Sequence, residues 1–151
     1  EFVREPLPVG DKGWLYFSPL AFRQGNMDGF DILAMDVAKS VPGGSRVCEL
    51  YAGVGLLGLT TLAHHGNRGD PLKWVRCSDE NPANPRCFER SVNSMPASIT
   101  GKGGGGAKKR QDQELTLGEM ARLMESGAPD RFEEDREKAS YMVASAKKAL
   151  Y

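Results

Sequence analysis

The feature that most limits the fold of this chain is a glycine turn between an apolar strand and an apolar helix. Gly53-Val54-Gly55-Leu56-Leu57-Gly58 matches the pattern G-x-G-x-x-G and follows the short strand-like run Arg46 to Leu50. Glycines at these positions permit a tight turn, close approach of a ligand to the backbone, and close packing of the helix on the strand. The pattern predicts a nucleotide-type ligand here, although the same glycines would also suit a turn that serves packing alone.

The rest of the chain alternates between predicted strands and helices. Short apolar or alternating runs bounded by glycine and proline predict strands over residues 14–18, 46–50, 74–78 and 140–144. Apolar residues at helical spacing and capping signals predict helices over residues 27–41, 55–65, 84–95, 116–125 and 129–138. Asn26 is the expected N-cap of the first helix and Gly66 the expected C-terminal cap of the second. This order is typical of an α/β fold with a parallel sheet.

Composition narrows the class of protein. The 151 residues carry 20 basic and 20 acidic side chains, so net charge favours neither a nucleic acid nor a membrane as partner. No apolar run is long enough to span a bilayer, and no secretory signal is visible, which predicts an intracellular protein. Cys48, Cys77 and Cys87 lack metal-ligand spacing and are expected to be reduced thiols, so no metal site is predicted.

The acidic residue ahead of the turn bears on the choice of cofactor. Glu49 lies at the end of the strand that feeds the glycines, where its charge would repel the pyrophosphate of a dinucleotide. S-adenosylmethionine carries a sulfonium and an ammonium group and no phosphate, so a carboxylate at this position favours it. A P-loop is excluded because no Gly-Lys-Ser/Thr follows the glycines.

A second carboxylate is expected where the next strand ends. Asp79 follows Trp74 to Ser78, and its two oxygens suit the two hydroxyls of a ribose. The adjacent Glu80 could take this role if the strand ended one residue later. Asp79 could also simply form the turn before Asn81-Pro82.

At this point the sequence resembles the RNA (uracil-5)-methyltransferases, which modify tRNA and ribosomal RNA. Leu50-Tyr51-Ala52-Gly53-Val54-Gly55 is similar to the first cofactor motif of that family, except at Ala52. Ser18-Pro19-Leu20-Ala21-Phe22-Arg23-Gln24-Gly25-Asn26 resembles the family's lead-in, and Asp79 and Asn93 match its acidic residue and helix asparagine. Asn93 is read as structural. The resemblance covers roughly residues 13–95.

The resemblance implies a fold class, a cofactor and a set of contacts. It implies a Rossmann-like class I methyltransferase sheet with helices on both faces, truncated after about the third parallel strand. It implies S-adenosylmethionine as cofactor. The residues expected to bind it are Gln24, Glu49, Tyr51, Gly53, Gly55, Leu56 and Asp79. Leu56 replaces a polar residue found in some members and can offer only its backbone.

The resemblance also implies a division of the chain into four parts. Residues 1–26 form an extended lead-in, 27–96 a βαβα core that binds S-adenosylmethionine, 97–138 a glycine- and lysine-rich insertion, and 139–151 the third strand and the start of the next element. Lys108, Lys109 and Arg110 in the insertion are interpreted as a solvated linker, with contact to RNA as the alternative. Ala144-Ser145-Ala146 stands where the family often has an acidic residue near the adenine.

Motifs that the family uses for chemistry are absent from the sequence. We find no Asp-Pro-Pro-Arg, and no cysteine fits the family's nucleophile, so no catalytic residue is assigned. The chain is therefore expected to be the N-terminal half of a catalytic domain, inactive alone, whose RNA contacts lie mostly elsewhere. We also expect an open apolar edge beside residues 46–50. An NAD(P)-dependent oxidoreductase, a non-catalytic methyltransferase-like domain and a methyltransferase of another substrate remain alternatives, and the oligomeric state is undetermined.

Overall fold

The computed structural model describes residues 1–19, 21–101 and 138–143. The fold is mixed α/β with two small sheets. Its elements in chain order are β1 (Val3–Pro6), β2 (Trp14–Phe17), α1 (Met27–Ser40), β3 (Arg46–Leu50), α2 (Leu56–Arg68), β4 (Trp74–Asp79), α3 (Asn84–Ser94), α4 (Ala97–Thr100) and β5 (Ala139–Val143). The helices predicted over 116–125 and 129–138, the Lys108–Arg110 tract and residues 144–146 lie outside the described residues, apart from Lys138.

The larger sheet contains β3, β4 and β5 in that order, and both pairs of strands are parallel. In its register Glu49 lies beside Cys77, and Cys77 beside Tyr141. Because neighbouring residues of a sheet share a face, these three side chains lie on one side. The carboxyl ends of β3 and β4 meet at one edge, where the glycine turn begins.

Helices α2 and α3 pack on that same face of the sheet. A Cβ at Gly58 of α2 would touch Val75 and Cys77, and Phe88 of α3 packs on the ring of Tyr141 with centroids 5.0 Å apart. Helix α2 connects β3 to β4, and helix α3 connects β4 to β5. Connections between parallel strands of one sheet are right-handed, and both of these proceed in the same direction across the sheet, so both helices lie on the same face. The sequence predicted helices on both faces, but the described residues include none packed on the second face.

Helix α1 packs against α2 rather than directly on the sheet. Its N-cap is Asn26, whose side chain accepts a hydrogen bond of 2.9 Å from the backbone N–H of Gly29, as predicted. Ala34 and Ala38 are fully buried, and these small side chains allow the two helices to approach closely.

The second helix is longer than predicted. The sequence placed its C-terminal cap at Gly66, but α2 continues to Arg68 and ends at Gly69, whose φ is 77°. The prediction at Gly66 was wrong because that glycine provides space instead: a Cβ there would lie 3.0 Å from the side chain of Ile99 in α4.

The smaller sheet is an antiparallel hairpin of β1 and β2 that packs on α3. Tyr16 N–H donates to Ser91 Oγ at 2.9 Å, and Trp14 N–H donates to Ser94 Oγ at 2.8 Å. Serines of the helix thus satisfy backbone donors on the free edge of β2. The sequence had predicted β2 but only an extended lead-in for β1.

Strand β3 has a neighbour on one side only within the described part of the sheet. Leu50 at its end is 47% exposed. The open apolar edge expected beside residues 46–50 stays a prediction. No helix in the described ranges is both long and apolar enough to cross a membrane.

Candidate functional site

The glycine turn connects β3 to α2 at the carboxyl edge of the parallel sheet. Its backbone enters the left-handed region at Tyr51, Gly53 and Gly55, with φ values of 55°, 56° and 85°. Such values suit glycine and are uncommon for tyrosine. The two glycines therefore satisfy a backbone requirement, whereas Tyr51 adopts its conformation under constraint from the turn. The Tyr51 side chain is 66% exposed beside the turn.

The three glycines of the motif have three different surroundings. A Cβ on Gly53 would meet no atom within 4 Å, so this side of the turn is open. A Cβ on Gly55 would lie 2.6 Å from the ring of Phe88, and one on Gly58 would lie 2.7 Å from the Glu49 carboxylate. Gly55 and Gly58 are therefore needed for close packing, and Gly53 leaves backbone accessible to a ligand.

Both backbone polar groups of Gly53 are held by side chains from neighbouring strands. Asp79 Oδ2 at the end of β4 accepts a hydrogen bond of 3.0 Å from Gly53 N–H. The Tyr141 hydroxyl of β5 donates a hydrogen bond of 2.5 Å to the Gly53 carbonyl oxygen. The conformation of the open glycine is thus fixed from two sides before any ligand arrives.

Asp79 also organises the loop that follows it. Its Oδ1 accepts hydrogen bonds from Asn81 N–H at 2.9 Å and from the Asn84 side-chain amide at 3.2 Å. Each carboxylate oxygen has two acceptor positions, so the group retains capacity for a further donor. Asp79 is the last residue of β4 and half-buried, whereas Glu80 is exposed beyond the strand.

Glu49 points beneath the turn and not toward its open side. Its Oε2 accepts a hydrogen bond of 2.7 Å from Gly58 N–H in the first turn of α2, and Cys77 Sγ donates to the same oxygen at 3.3 Å. Helix α2 has Gly55 as its N-cap and so has no capping side chain of its own. Glu49 therefore serves as the cap from β3.

Burial raises the pKa of both members of the pair formed by Glu49 and Cys77. It raises the pKa of Glu49, and the hydrogen bond from Gly58 N–H opposes that rise in part. Burial, reinforced by the neighbouring Glu49 charge, raises the pKa of the Cys77 thiol far above its usual value. A thiol held in its protonated form is a poor nucleophile, so Cys77 does not suit covalent catalysis.

The remaining predicted contacts are less closely tied to the turn. Leu56 is the first residue of α2 and packs against the core while half-buried. Gln24 is exposed in the segment before α1 and, within the described residues, makes no hydrogen bond to the turn. The structure thus brings Glu49, Gly53, Gly55 and Asp79 to one turn, where Asp79 bonds to Gly53 and Glu49 bonds separately to Gly58. Tyr51 lies exposed within the same turn.

Two further residues of the site were missed by the sequence analysis. Asn84 could have been found from the polar spacing Asp79, Asn81, Asn84. Tyr141 offered no local signal, because it is 88 residues from Gly53 and meets it only through the pairing of β5 with β4. No group of three or more potential metal ligands occurs in the portion that the structure describes.

Comparison with known proteins gives one informative similarity. The chain is 31% identical over 86 residues to a protein of Protochlamydia amoebophila (strain UWE25) whose name is uncharacterized RNA methyltransferase. The similar region covers 57% of this chain and 21% of that protein, so the chain spans about a fifth of the relative's length. The chain matches no known protein-family profile.

Proposed function

We propose that the chain is the S-adenosylmethionine-binding part of an RNA (uracil-C5)-methyltransferase that acts on tRNA or ribosomal RNA inside the cell. The observation that carries the proposal is the glycine turn, whose open residue Gly53 is held by Asp79 and Tyr141 while Glu49 caps the helix beneath it. The similarity to a protein named as an uncharacterized RNA methyltransferase supports the methyltransferase part of the proposal.

The position of Glu49 supports this cofactor over a dinucleotide. A bound pyrophosphate requires free N–H groups at the start of the helix after the turn. Here Gly58 N–H already donates to Glu49 Oε2. A phosphate would have to displace a buried carboxyl group from its hydrogen bond, whereas a phosphate-free cofactor need not. The direct charge pairing between Glu49 and a cationic cofactor that the sequence suggested does not support the choice, because Glu49 lies on the inner side of the turn.

The proposed contacts follow from the accessible groups around the turn. The backbone of Gly53, Gly55 and Leu56 would line the cofactor, and the one spare acceptor position of Asp79, on Oδ2, would receive a ribose hydroxyl. Tyr51 would flank the methionine portion, with Gln24 approaching from the lead-in. Glu49 would act through the turn, as a positioning residue.

The proposed domain division keeps a Rossmann-like core of residues 27–96, a lead-in over 1–26, an insertion over 97–138 and a final part over 139–151. Tyr141 ties that final part to the cofactor turn. When bound, the cofactor supplies an electrophilic methyl group. We assign neither a nucleophile for uracil nor a base to any residue of this chain, and we propose that it is inactive alone.

Titration calorimetry with S-adenosylhomocysteine and with NADH tests the proposal. We expect the first ligand to bind the 151-residue chain and the second not to bind. The variant Asp79→Ala should weaken binding of S-adenosylhomocysteine by at least tenfold, and Glu80→Ala should leave it within about twofold. Binding of NADH alone would favour the oxidoreductase alternative and overturn the proposal.

A further inference from the structure

We propose that the outer face of the N-terminal hairpin, together with α3, binds single-stranded RNA. This arginine–aromatic face consists of Phe2, Arg4, Trp14, Tyr16 and Arg90. The inference rests on the proposed function for its choice of partner, and it assigns to this chain an RNA contact that the resemblance had placed mostly outside it.

The two faces of the hairpin differ sharply in chemistry. Leu15 and Phe17 point inward and are buried in the core. Arg4 pairs with Tyr16 in the antiparallel register, and both belong to the opposite face because side chains alternate along a strand. Trp14 on that same outer face is 39% exposed, which is large for a tryptophan in a sheet.

Guanidinium groups lie over aromatic rings at two places on this face. Arg4 Cζ is 4.4 Å from the centroid of the Trp14 ring. Arg90 Cζ, from α3, is 4.4 Å from the Phe2 ring and 5.8 Å from the Tyr16 ring. At these distances the guanidinium groups interact with the aromatic rings, and both arginines remain exposed to solvent.

The charge of the face is positive. Arg4 and Arg90 are exposed, and no carboxylate in the described part of the chain lies within ion-pair distance of either. Glu5 lies on the inner side of β1, where it pairs with Arg23. Exposed Arg86 lies one helical turn from Arg90, and exposed Glu89 is the nearby acidic residue on α3.

This combination suits a single strand of nucleic acid. Arginines attract backbone phosphates, and the exposed ring of Trp14 and the guanidinium groups of Arg4 and Arg90 offer surfaces on which unpaired bases can stack. A duplex keeps its bases stacked internally and cannot use the rings. Contacts of Trp14 with Ser94 and of Tyr16 with Ser91 show that β2 runs antiparallel to α3. The arginine–aromatic face therefore extends from Trp14 toward the N-terminal end of α3. In the sequence that end comes shortly after Asp79, the residue that contacts the glycine turn.

The test uses fluorescence anisotropy with a labelled 12-nucleotide single-stranded RNA of mixed sequence and with its duplex. We expect the 151-residue chain to bind the single strand more tightly. Arg4→Gln combined with Arg90→Gln should weaken binding about tenfold and reduce the salt dependence, by about 0.7 in log–log slope for each lost phosphate contact. Trp14→Ala should weaken binding about tenfold. Arg68→Gln, an exposed arginine at the end of α2, is the matched control and should bind as the wild type does.

Several results would overturn the inference: no binding of the single strand, equal binding of the duplex, or the same affinity for the double variant as for Arg68→Gln. Circular dichroism melting of each variant separates loss of binding from loss of folding. The same variants are titrated with S-adenosylhomocysteine, which they should bind unchanged. If the wild type binds the RNA through this face but does not bind S-adenosylhomocysteine, the proposed function fails and the RNA surface stands.

Discussion

The Tyr141 hydroxyl donates a hydrogen bond of 2.5 Å to the carbonyl oxygen of Gly53, a residue 88 positions earlier in the chain. Asp79 accepts from the N–H of the same glycine. One side chain from the end of β4 and one from the middle of the neighbouring parallel strand β5 thereby define the backbone of the turn on which the cofactor is proposed to rest.

Removal of the Tyr141 hydroxyl is expected to loosen the turn. Tyr141→Phe keeps the ring that packs on Phe88 and loses the bond to Gly53, so the free energy of unfolding should fall by about 1 kcal/mol. Affinity for S-adenosylhomocysteine should fall about fivefold, measured by calorimetry. Tyr16→Phe removes a hydroxyl from the hairpin and serves as the control. Equal affinities of the two variants would contradict a positioning role for Tyr141.

Stability should depend on pH through Glu49. Because burial raises the pKa of this carboxyl group above its usual value of 4.5, the folded state holds the proton more tightly than the unfolded state. The associated stability is present below about pH 4.5 and is lost as pH rises through the folded-state pKa. Glu49→Gln keeps an acceptor for Gly58 N–H and cannot ionise.

Urea unfolding from pH 4.5 to pH 7 measures this effect. The wild type should lose stability relative to Glu49→Gln as the pH rises. Glu89→Gln, at an exposed position of α3, should follow the wild type. Parallel curves for the wild type and Glu49→Gln would show that Glu49 does not titrate differently in the folded state.

The third glycine of the motif should be intolerant of a methyl group. In Gly58→Ala the new Cβ would lie 2.7 Å from Glu49 Oε2 and 2.8 Å from Val75, both in the packed interior. We expect a loss of about 1–3 kcal/mol in the free energy of unfolding. Gly25→Ala, whose Cβ would meet nothing within 4 Å, should change stability by less than about 0.5 kcal/mol. A neutral Gly58→Ala would mean that α2 can shift away from β3.

The two acidic residues after β4 should differ in their effect on the turn. Asp79→Ala leaves Gly53 N–H and the Asn84 amide without their acceptor, so the melting temperature should fall by several degrees. Glu80→Ala should leave it unchanged within about 1 °C. Thermal unfolding followed by circular dichroism gives both values. An equal loss in the two variants would argue against the register in which β4 ends at Asp79.

Much of the secondary structure could be predicted from local signals. A short apolar run predicted strand β3, Asn26 with apolar residues at helical spacing predicted α1, and Asn84-Pro85 predicted α3. All three elements are present in the structure. The cap of α2 was missed because a glycine can be needed for conformation or for space, and the sequence does not distinguish Gly66 from Gly69. The former lies against Ile99 and the latter adopts the positive φ.

The chemistry of the site was more predictable than its geometry. Glu49 was identified because its charge ahead of the glycine turn would repel a pyrophosphate, and Asp79 because a carboxylate for a ribose was expected at the end of the next strand. The direction of each side chain was not predictable, since it depends on the strand faces and on donors that folding brings near. In the structure Glu49 accepts hydrogen bonds from Gly58 N–H and from Cys77 Sγ, both on the inner side of the turn. The contribution of Tyr141 required the third strand to be in place.

The pairing of β5 with β4 has a consequence for the order in which the molecule assembles. Tyr141 reaches Gly53 only after a loop of about ninety residues has closed, and such distant contacts form late in folding. The local elements from β3 to α3 can form earlier, with the turn still able to exchange between conformers. Arrival of β5 would then end that exchange, so the turn should reach its final conformation only in the last kinetic phase.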